Sequence, residues 1–149
     1  METKDRPGVL APPPLIYLAA FLLGWWGRGL LPRYQSIAAG AALAAAGVAL
    51  AGWGVATMMR ARTHVDPYKP ATALVTTGPF RLTRNPLYVS LTAVYAGAAL
   101  WSASMTSLLL LPAAVAILYF GVILREERYL EGKFGAAYRD YRKRVRRWL

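Results

Sequence analysis

LYVSLTAVYAGAALWSASMTSLLLLPAAVAILYFGVIL, residues 87–124, is a run of 38 residues without a charged side chain. About 20 apolar residues cross the hydrocarbon core of a bilayer as a helix, so this run is too long for one span and about right for two. Its polar centre, Ser102 to Ser107, reads as a tight hairpin turn. Pro112 then falls inside the following span, where a kink is tolerated. Upstream, Gln35 to Met59 is a second uncharged run, 25 residues long, and gives one more span. Leu15 to Leu31 gives another, with Trp25, Trp26 and Arg28 near its far end as interface anchors. A buried soluble helical core is the alternative. For the first run a cleaved signal sequence is a further one, disfavoured by Glu2, Asp5 and Pro12-Pro13-Pro14. The expected fold is all-α: a single-domain membrane bundle with four spans, about 13–31, 36–59, 87–102 and 107–124.

Composition points the same way. The 149 residues are 56% hydrophobic and only 17% charged, with a mean hydropathy of +0.32 and a net charge of +11. Disorder is excluded by the apolar content. A disulfide scaffold or a cysteine-ligated metal site is excluded by the lack of Cys, and with His64 as the single histidine no metal site is expected. An even number of spans puts both termini and the long connection on one face. Sixteen of the eighteen basic residues lie there: Lys4 and Arg6, five between Arg60 and Arg84, and nine from Arg125 onward. The positive-inside rule makes that face cytoplasmic, and anionic lipid head groups account for the charge. Nucleic-acid binding is not needed to explain it and is not expected.

Two cytoplasmic segments are unusual. The connection 60–86 is long for a bundle, where about 2–8 residues suffice. Pro67, Pro70, Gly78 and Pro79 make it largely non-helical, and Ala73 to Phe80 is too apolar for a free linker. In the tail 125–149, Leu130, Phe134, Tyr138, Tyr141, Val145 and Trp148 recur at helical spacing, with Arg and Lys between them. The first reading is a basic amphipathic helix on the membrane surface; the second is a lid over the cytoplasmic mouth of the bundle. Gly132 and Gly135 predict a bend after the fourth span.

Chemistry-bearing residues flank the long uncharged run. Before it stand Arg84, Asn85, Pro86 and Tyr88. Asn at the N-cap and Pro at the first helical position simply start a helix. They leave Arg84 and Tyr88 unexplained, and an arginine beside a helix N-terminus attracts carboxylate or phosphate. After the run come Arg125, Glu126 and Glu127. Successive helical residues diverge by about 100°, so the two acids do not share a proton, and one of them faces the bundle. An inward carboxylate at membrane depth is costly and usually functional. Gly52 and Gly54 read as close helix packing, Tyr138 and Tyr141 as part of the amphipathic stripe, and His64 as incidental.

The ordered set is Gly78-Pro79-Phe80-Arg81, Arg84-Asn85-Pro86-Leu87-Tyr88, a helical hairpin, Glu126-Glu127, Tyr129-Leu130, Phe134-Gly135, Tyr138, Tyr141, Val145 and Arg146. Over about residues 50–149 it resembles the isoprenylcysteine carboxyl methyltransferases and the related phospholipid N-methyltransferases. The resemblance implies a membrane enzyme using S-adenosylmethionine, held on the cytoplasmic side between the third span and the tail. By position, Arg84, Asn85, Pro86 and Tyr88 would line the cofactor pocket, and Glu126 and Glu127 would match the family's acidic pair. Asn85 stands where the eukaryotic carboxyl methyltransferases have His and the phospholipid enzymes have Asn; Ser90 stands where Gly is frequent. Gly52 and Gly54 loosely match a cofactor-binding glycine pair of the phospholipid enzymes, and Tyr138 is placed with the cofactor as well. The catalytic candidates are Arg84 and Arg125, with Arg81 as a further choice, to position a carboxylate acceptor, and Glu126 or Glu127, to take a proton from an amine or thiol. The acceptor is expected to be lipophilic and to enter from the bilayer. The Ala-, Leu- and Arg-rich composition implies a bacterial inner membrane with the site facing the cytoplasm. The competing class is a noncatalytic membrane subunit for assembly or transport; transport is disfavoured because the spans lack charged residues.

Overall fold

The computed structural model describes residues 7–149, so Lys4 and Arg6 of the topology reading lie outside the described residues. Six α-helices follow one another: α1 Pro13–Trp26, α2 Ile37–Arg60, α3 Pro86–Trp101, α4 Met105–Leu118, α5 Leu124–Phe134 and α6 Ala136–Arg144. A 3₁₀ turn covers Gly78–Arg81, and a π-helical turn, Tyr119–Ile123, joins α4 to α5 without a break. No strand occurs among the described residues. Two of the helices are long and apolar enough to cross a membrane: α2, and the continuous helix Met105–Phe134. α1 and α3 are apolar but shorter, with 14 and 16 residues.

Local sequence sets most of the ends. Pro13 and Pro86 occupy the first turns of α1 and α3, where a missing N–H costs nothing. α1 stops at Gly27 rather than at Leu31, and Arg28 stacks over the Trp25 ring at 4.2 Å. The hairpin turn is shorter than the polar stretch: Met105 to Ser107 already form the first turn of α4. Ser104 caps that turn by accepting from the Ser107 N–H at 3.3 Å, and Ala103 takes the left-handed backbone with φ 54°. Asn85 sits at the N-cap of α3 as expected, but its side chain makes no capping bond.

Small residues decide how the helices meet. Gly40, Gly47 and Gly54 recur every seven residues along α2 and lie buried against α3. A Cβ on Gly47 would stand 2.8 Å from the Ser90 carbonyl, and one on Gly54 would stand 2.9 Å from Leu87. α1 and α4 pair through Gly24, which rests on the Ser107 backbone. The Ser107 and Ser104 hydroxyls also donate to the Phe21 and Gly24 carbonyls at 3.1 and 3.3 Å. Tyr95 donates to the Ser107 carbonyl at 2.6 Å, and the Tyr17 and Thr92 hydroxyls share a 2.7 Å bond, so α3 is tied to both neighbours. Interhelical bonds of this kind suit a medium in which apolar surface gains little by leaving solvent. The outward faces carry Leu15, Leu18, Leu22, Val48, Leu109, Ile117 and Phe120, all exposed.

The connection 61–85 is non-helical apart from the 3₁₀ turn, as its prolines require. It is nevertheless fixed: Thr72 bonds the Thr63 hydroxyl and the Arg62 carbonyl, and Ala71 N–H donates to the Tyr129 hydroxyl at 3.0 Å. The tail departs from expectation. It is not one helix over 125–149 but two, broken at Gly135, where φ is 54° and ψ is −122°, a conformation open mainly to glycine. The bend expected after the fourth span thus occurs at Gly135, at the end of α5. Beyond α6 the chain is extended at Val145, so Val145 and Trp148 do not continue a helical stripe.

Candidate active site

A cleft with an empty volume of about 890 Å³, its open mouth included, lies where α2 ends, α3 begins and α4 passes into α5. The connection supplies one wall, from Thr63 to Val75, and α5 and α6 supply another through Leu130, Tyr138 and Tyr141.

Five predicted residues meet in it with direct contacts. Tyr88, at the first turn of α3, donates to Glu126 Oε2 at 2.8 Å. Glu127, 7% exposed, receives a two-bond fork from Arg147, with Nε and Nη2 each at 2.8 Å. Arg84 Nη1 lies 3.2 Å from Glu127 Oε1 and 3.4 Å from the Tyr138 hydroxyl. Both acids therefore line the cleft: one turns to α3, the other to the tail. The π turn just before them widens the helix and shifts the direction in which the following side chains point, a local geometry frequent at functional sites.

The electrostatics of the two acids differ. Glu127 is balanced by two guanidinium groups. No cation among the described residues pairs with Glu126. It lies just beyond the last apolar residue, Leu124, and burial pushes its carboxyl from 4.5 up to about 7, with the Tyr88 bond pulling down and Glu127 pushing up. Burial likewise raises the Tyr138 hydroxyl, helped by Glu127 and opposed by Arg84. Hydrogen bonding to Glu127, which accepts from it, is the first cause of the raised Arg147 guanidinium. Arg84 is 8% exposed in its side chain, and its Nε, buried, has no hydrogen-bond partner among the described residues. An unsatisfied buried donor of a charged group costs several kcal/mol at most sites and points to a missing acceptor.

Asn85 and Pro86 also line the cleft, yet the Asn85 amide donates away from it, to the Arg147 carbonyl at 3.0 Å. Three predicted residues are not brought there. Arg125 turns outward and donates to the Gly8 carbonyl at 2.9 Å. Gly52 is exposed with nothing within 4 Å of a Cβ, and Gly54 packs on Leu87. The glycine pair serves helix packing on one side only, since residues two apart face nearly opposite ways. Sequence reasoning missed Arg147, hidden within a basic run, and Tyr129 and Leu130 as lining residues. His64, read as incidental, lines the cleft mouth.

Comparison with known proteins adds an independent line. A family model described as phospholipid methyltransferase matches residues 35–137, which run from the start of α2 to the start of α6. An uncharacterized protein of Haemophilus influenzae is 38% identical over 63 residues, covering 42% of this chain and all of that protein. No solved structure matches the chain. The matched segment holds Arg84, Asn85, Pro86, Tyr88, Glu126 and Glu127, and the chain belongs to the phospholipid methyltransferase family of membrane proteins.

Proposed function

We propose that the cleft binds S-adenosylmethionine and that the chain transfers its methyl group to a lipophilic acceptor entering from the bilayer. The observation that carries this reading is the joint presence, in one cleft, of a guanidinium donor, Arg84 Nε, and a carboxylate, Glu126, that find no acceptor and no cation respectively among the described residues. Together they complement the carboxylate and ammonium of an amino-acid end. Arg84 would hold the carboxylate, and Glu126 with Tyr88 the cationic groups; Leu74, Phe80 and Leu130 offer apolar surface for the rest. When bound, the cofactor supplies an electrophilic methyl group on a sulfonium centre.

The protein's own work is alignment and exclusion of water. Tyr88 fixes Glu126 through Oε2, leaving Oε1 to receive a proton from a protic acceptor such as an amine or thiol. With its carboxyl near 7, Glu126 is poised to do so at neutral pH. Arg125, tied to Gly8, takes no part. The acceptor's polar head meets this cleft while its apolar body stays among the exposed Leu and Phe side chains of the bundle.

Calorimetric titration of the purified protein with S-adenosylhomocysteine, run at pH 6.5 in two buffers of different ionisation enthalpy, tests the reading. Saturable binding is expected, with a heat that differs between buffers. The ligand's ammonium group beside Glu126 favours the carboxylate, so binding releases a proton below pH 7, and affinity rises with pH until about 7 and then levels off. Folded protein that binds nothing sinks the function; binding with buffer-independent heat removes Glu126 from it.

The same reading places α1, α2, α3 and the first part of the helix Met105–Phe134 across the membrane as four spans of one domain, with the cleft on the cytoplasmic side of a bacterial inner membrane. Cysteines at the exposed positions Tyr34 and Thr72 are then expected to react with an impermeant maleimide from opposite faces of sealed vesicles. Labelling from one face only would contradict four spans.

A further inference from the structure

After α6 the chain does not end its contacts with the site. From the extended Val145 onward, residues 145–149 run back onto the start of α3 and are held there by the main chain: Arg84 N–H donates to the Arg146 carbonyl at 2.8 Å. Thr83 Oγ1 and Asn85 Nδ2 donate to the Arg147 carbonyl at 2.9 and 3.0 Å. Trp148 packs against the buried core, and with the exposed Leu149 it lines an apolar groove together with Leu43 of α2 and Val89, Thr92, Ala93 and Ala96 of α3. This strap delivers the Arg147 side chain between α4 and α5. There it forks onto Glu127, donates to the Tyr119 hydroxyl at 2.8 Å and lies 5.0 Å over the Tyr119 ring.

The two arginines that meet Glu127 are not equivalent. Arg147 takes both carboxylate oxygens at 2.8 Å, whereas Arg84 reaches one of them through a single nitrogen at 3.2 Å. A carboxylate engaged in such a fork has its directions fixed and cannot offer a second planar fork to Arg84. Were Arg147 absent, Glu127 would be free to close on Arg84 with both oxygens and satisfy its remaining donor.

We propose that Arg147 is a positioning residue: by holding Glu127 in a two-bond fork it keeps the Nε of Arg84, a residue that lines the cleft, unpaired, and the strap 145–149 carries Arg147 there. The inference rests on the cofactor reading above, because the open donor is the one assigned to the cofactor's carboxylate. It assigns a role to a segment that the helical period of the tail did not anticipate.

The test is S-adenosylhomocysteine titration of Arg147→Gln, with hydrogen exchange at the Arg84 amide, which is bonded to the Arg146 carbonyl, reporting whether the strap stays docked. The main-chain bonds of the strap do not need the Arg147 side chain, so that amide should remain protected. Affinity should fall roughly tenfold or more, the worth of one charge-assisted hydrogen bond. Arg147→Lys, which keeps the charge but not the fork, should not restore it. Arg84→Gln should lower affinity in the wild-type background yet add little to Arg147→Gln. Unchanged affinity with a docked strap overturns the proposal, as do additive effects of the two arginines. If Arg147→Gln exposes the Arg84 amide to exchange, Arg147→Lys decides: full recovery of affinity means that charge alone suffices and the fork has no role. A wild-type chain that binds no S-adenosylhomocysteine overturns this proposal and the cofactor reading together.

Discussion

Glu127→Gln is expected to reduce S-adenosylhomocysteine affinity by about a hundredfold or more and to lower the thermal unfolding midpoint of the detergent-solubilised protein. Glu127 is the shared counter-ion of Arg84 and Arg147, with side-chain exposures of 9% for Glu127 and 8% for Arg84. Removing one member of a buried ion pair typically costs about 3–5 kcal/mol, because the partner charge stays buried without compensation. Here two guanidinium groups would face each other across a neutral amide, and the site could relieve their repulsion only by opening. Glu126→Gln is the matched control. Its amide oxygen still accepts from Tyr88, no buried cation loses a partner, and burial already opposes its charge. Its ionisation costs folding stability progressively as pH rises from about 4.5 through about 7, so this variant should lose that pH dependence while keeping its fold. Equal midpoints and equal affinities for Glu127→Gln and the wild type would remove Glu127 from the centre of the site.

Gly97→Leu should abolish folding to a monodisperse protein. A Cβ at Gly97 would stand 2.6 Å from the backbone nitrogen of Ala44 and 2.6 Å from the Gly40 carbonyl, so the obstacle is main chain on the facing helix and not a side chain that can turn aside. Overpacking against movable side chains already costs about 1–3 kcal/mol; against backbone the α2–α3 pair must separate. Gly52→Leu provides the contrast, since nothing lies within 4 Å of its added Cβ. It is expected to leave both the unfolding midpoint and S-adenosylhomocysteine affinity unchanged, or to raise the midpoint slightly through better helix propensity. Thermal unfolding followed by tryptophan fluorescence, with size-exclusion profiles, checks both. A well-folded Gly97→Leu would show that α2 and α3 do not approach as closely as described.

The uncharged runs made the helices legible, since charge is so costly in hydrocarbon that its absence marks a span more sharply than any propensity. Arg84, Tyr88, Glu126 and Glu127 could be picked out for the converse reason: each stands at the edge of such a run, where topology alone does not explain it. What could not be read was which way neighbouring residues turn. Arg125 and Glu126 are adjacent, and about 100° of rotation sends one to the Gly8 carbonyl and the other to Tyr88. Gly52 and Gly54 looked like a pair, but only Gly54 meets α3. Arg147 was illegible because its partner, Glu127, is 20 residues away and reached through a reversal at Gly135 and the strap that begins at Val145. Local composition carries no record of that path.

The unbroken helix from Met105 to Phe134 has 30 residues and a length of about 45 Å. Glu126 therefore sits about 32 Å from its beginning, just past the roughly 30 Å of a hydrocarbon core. Covalent geometry, rather than a loop, sets the depth of that carboxylate. A molecule that meets it while anchored in lipid is confined to a plane. Its encounters are then counted per unit area of bilayer and not per litre. Inert lipid thins such a substrate out; added buffer does not.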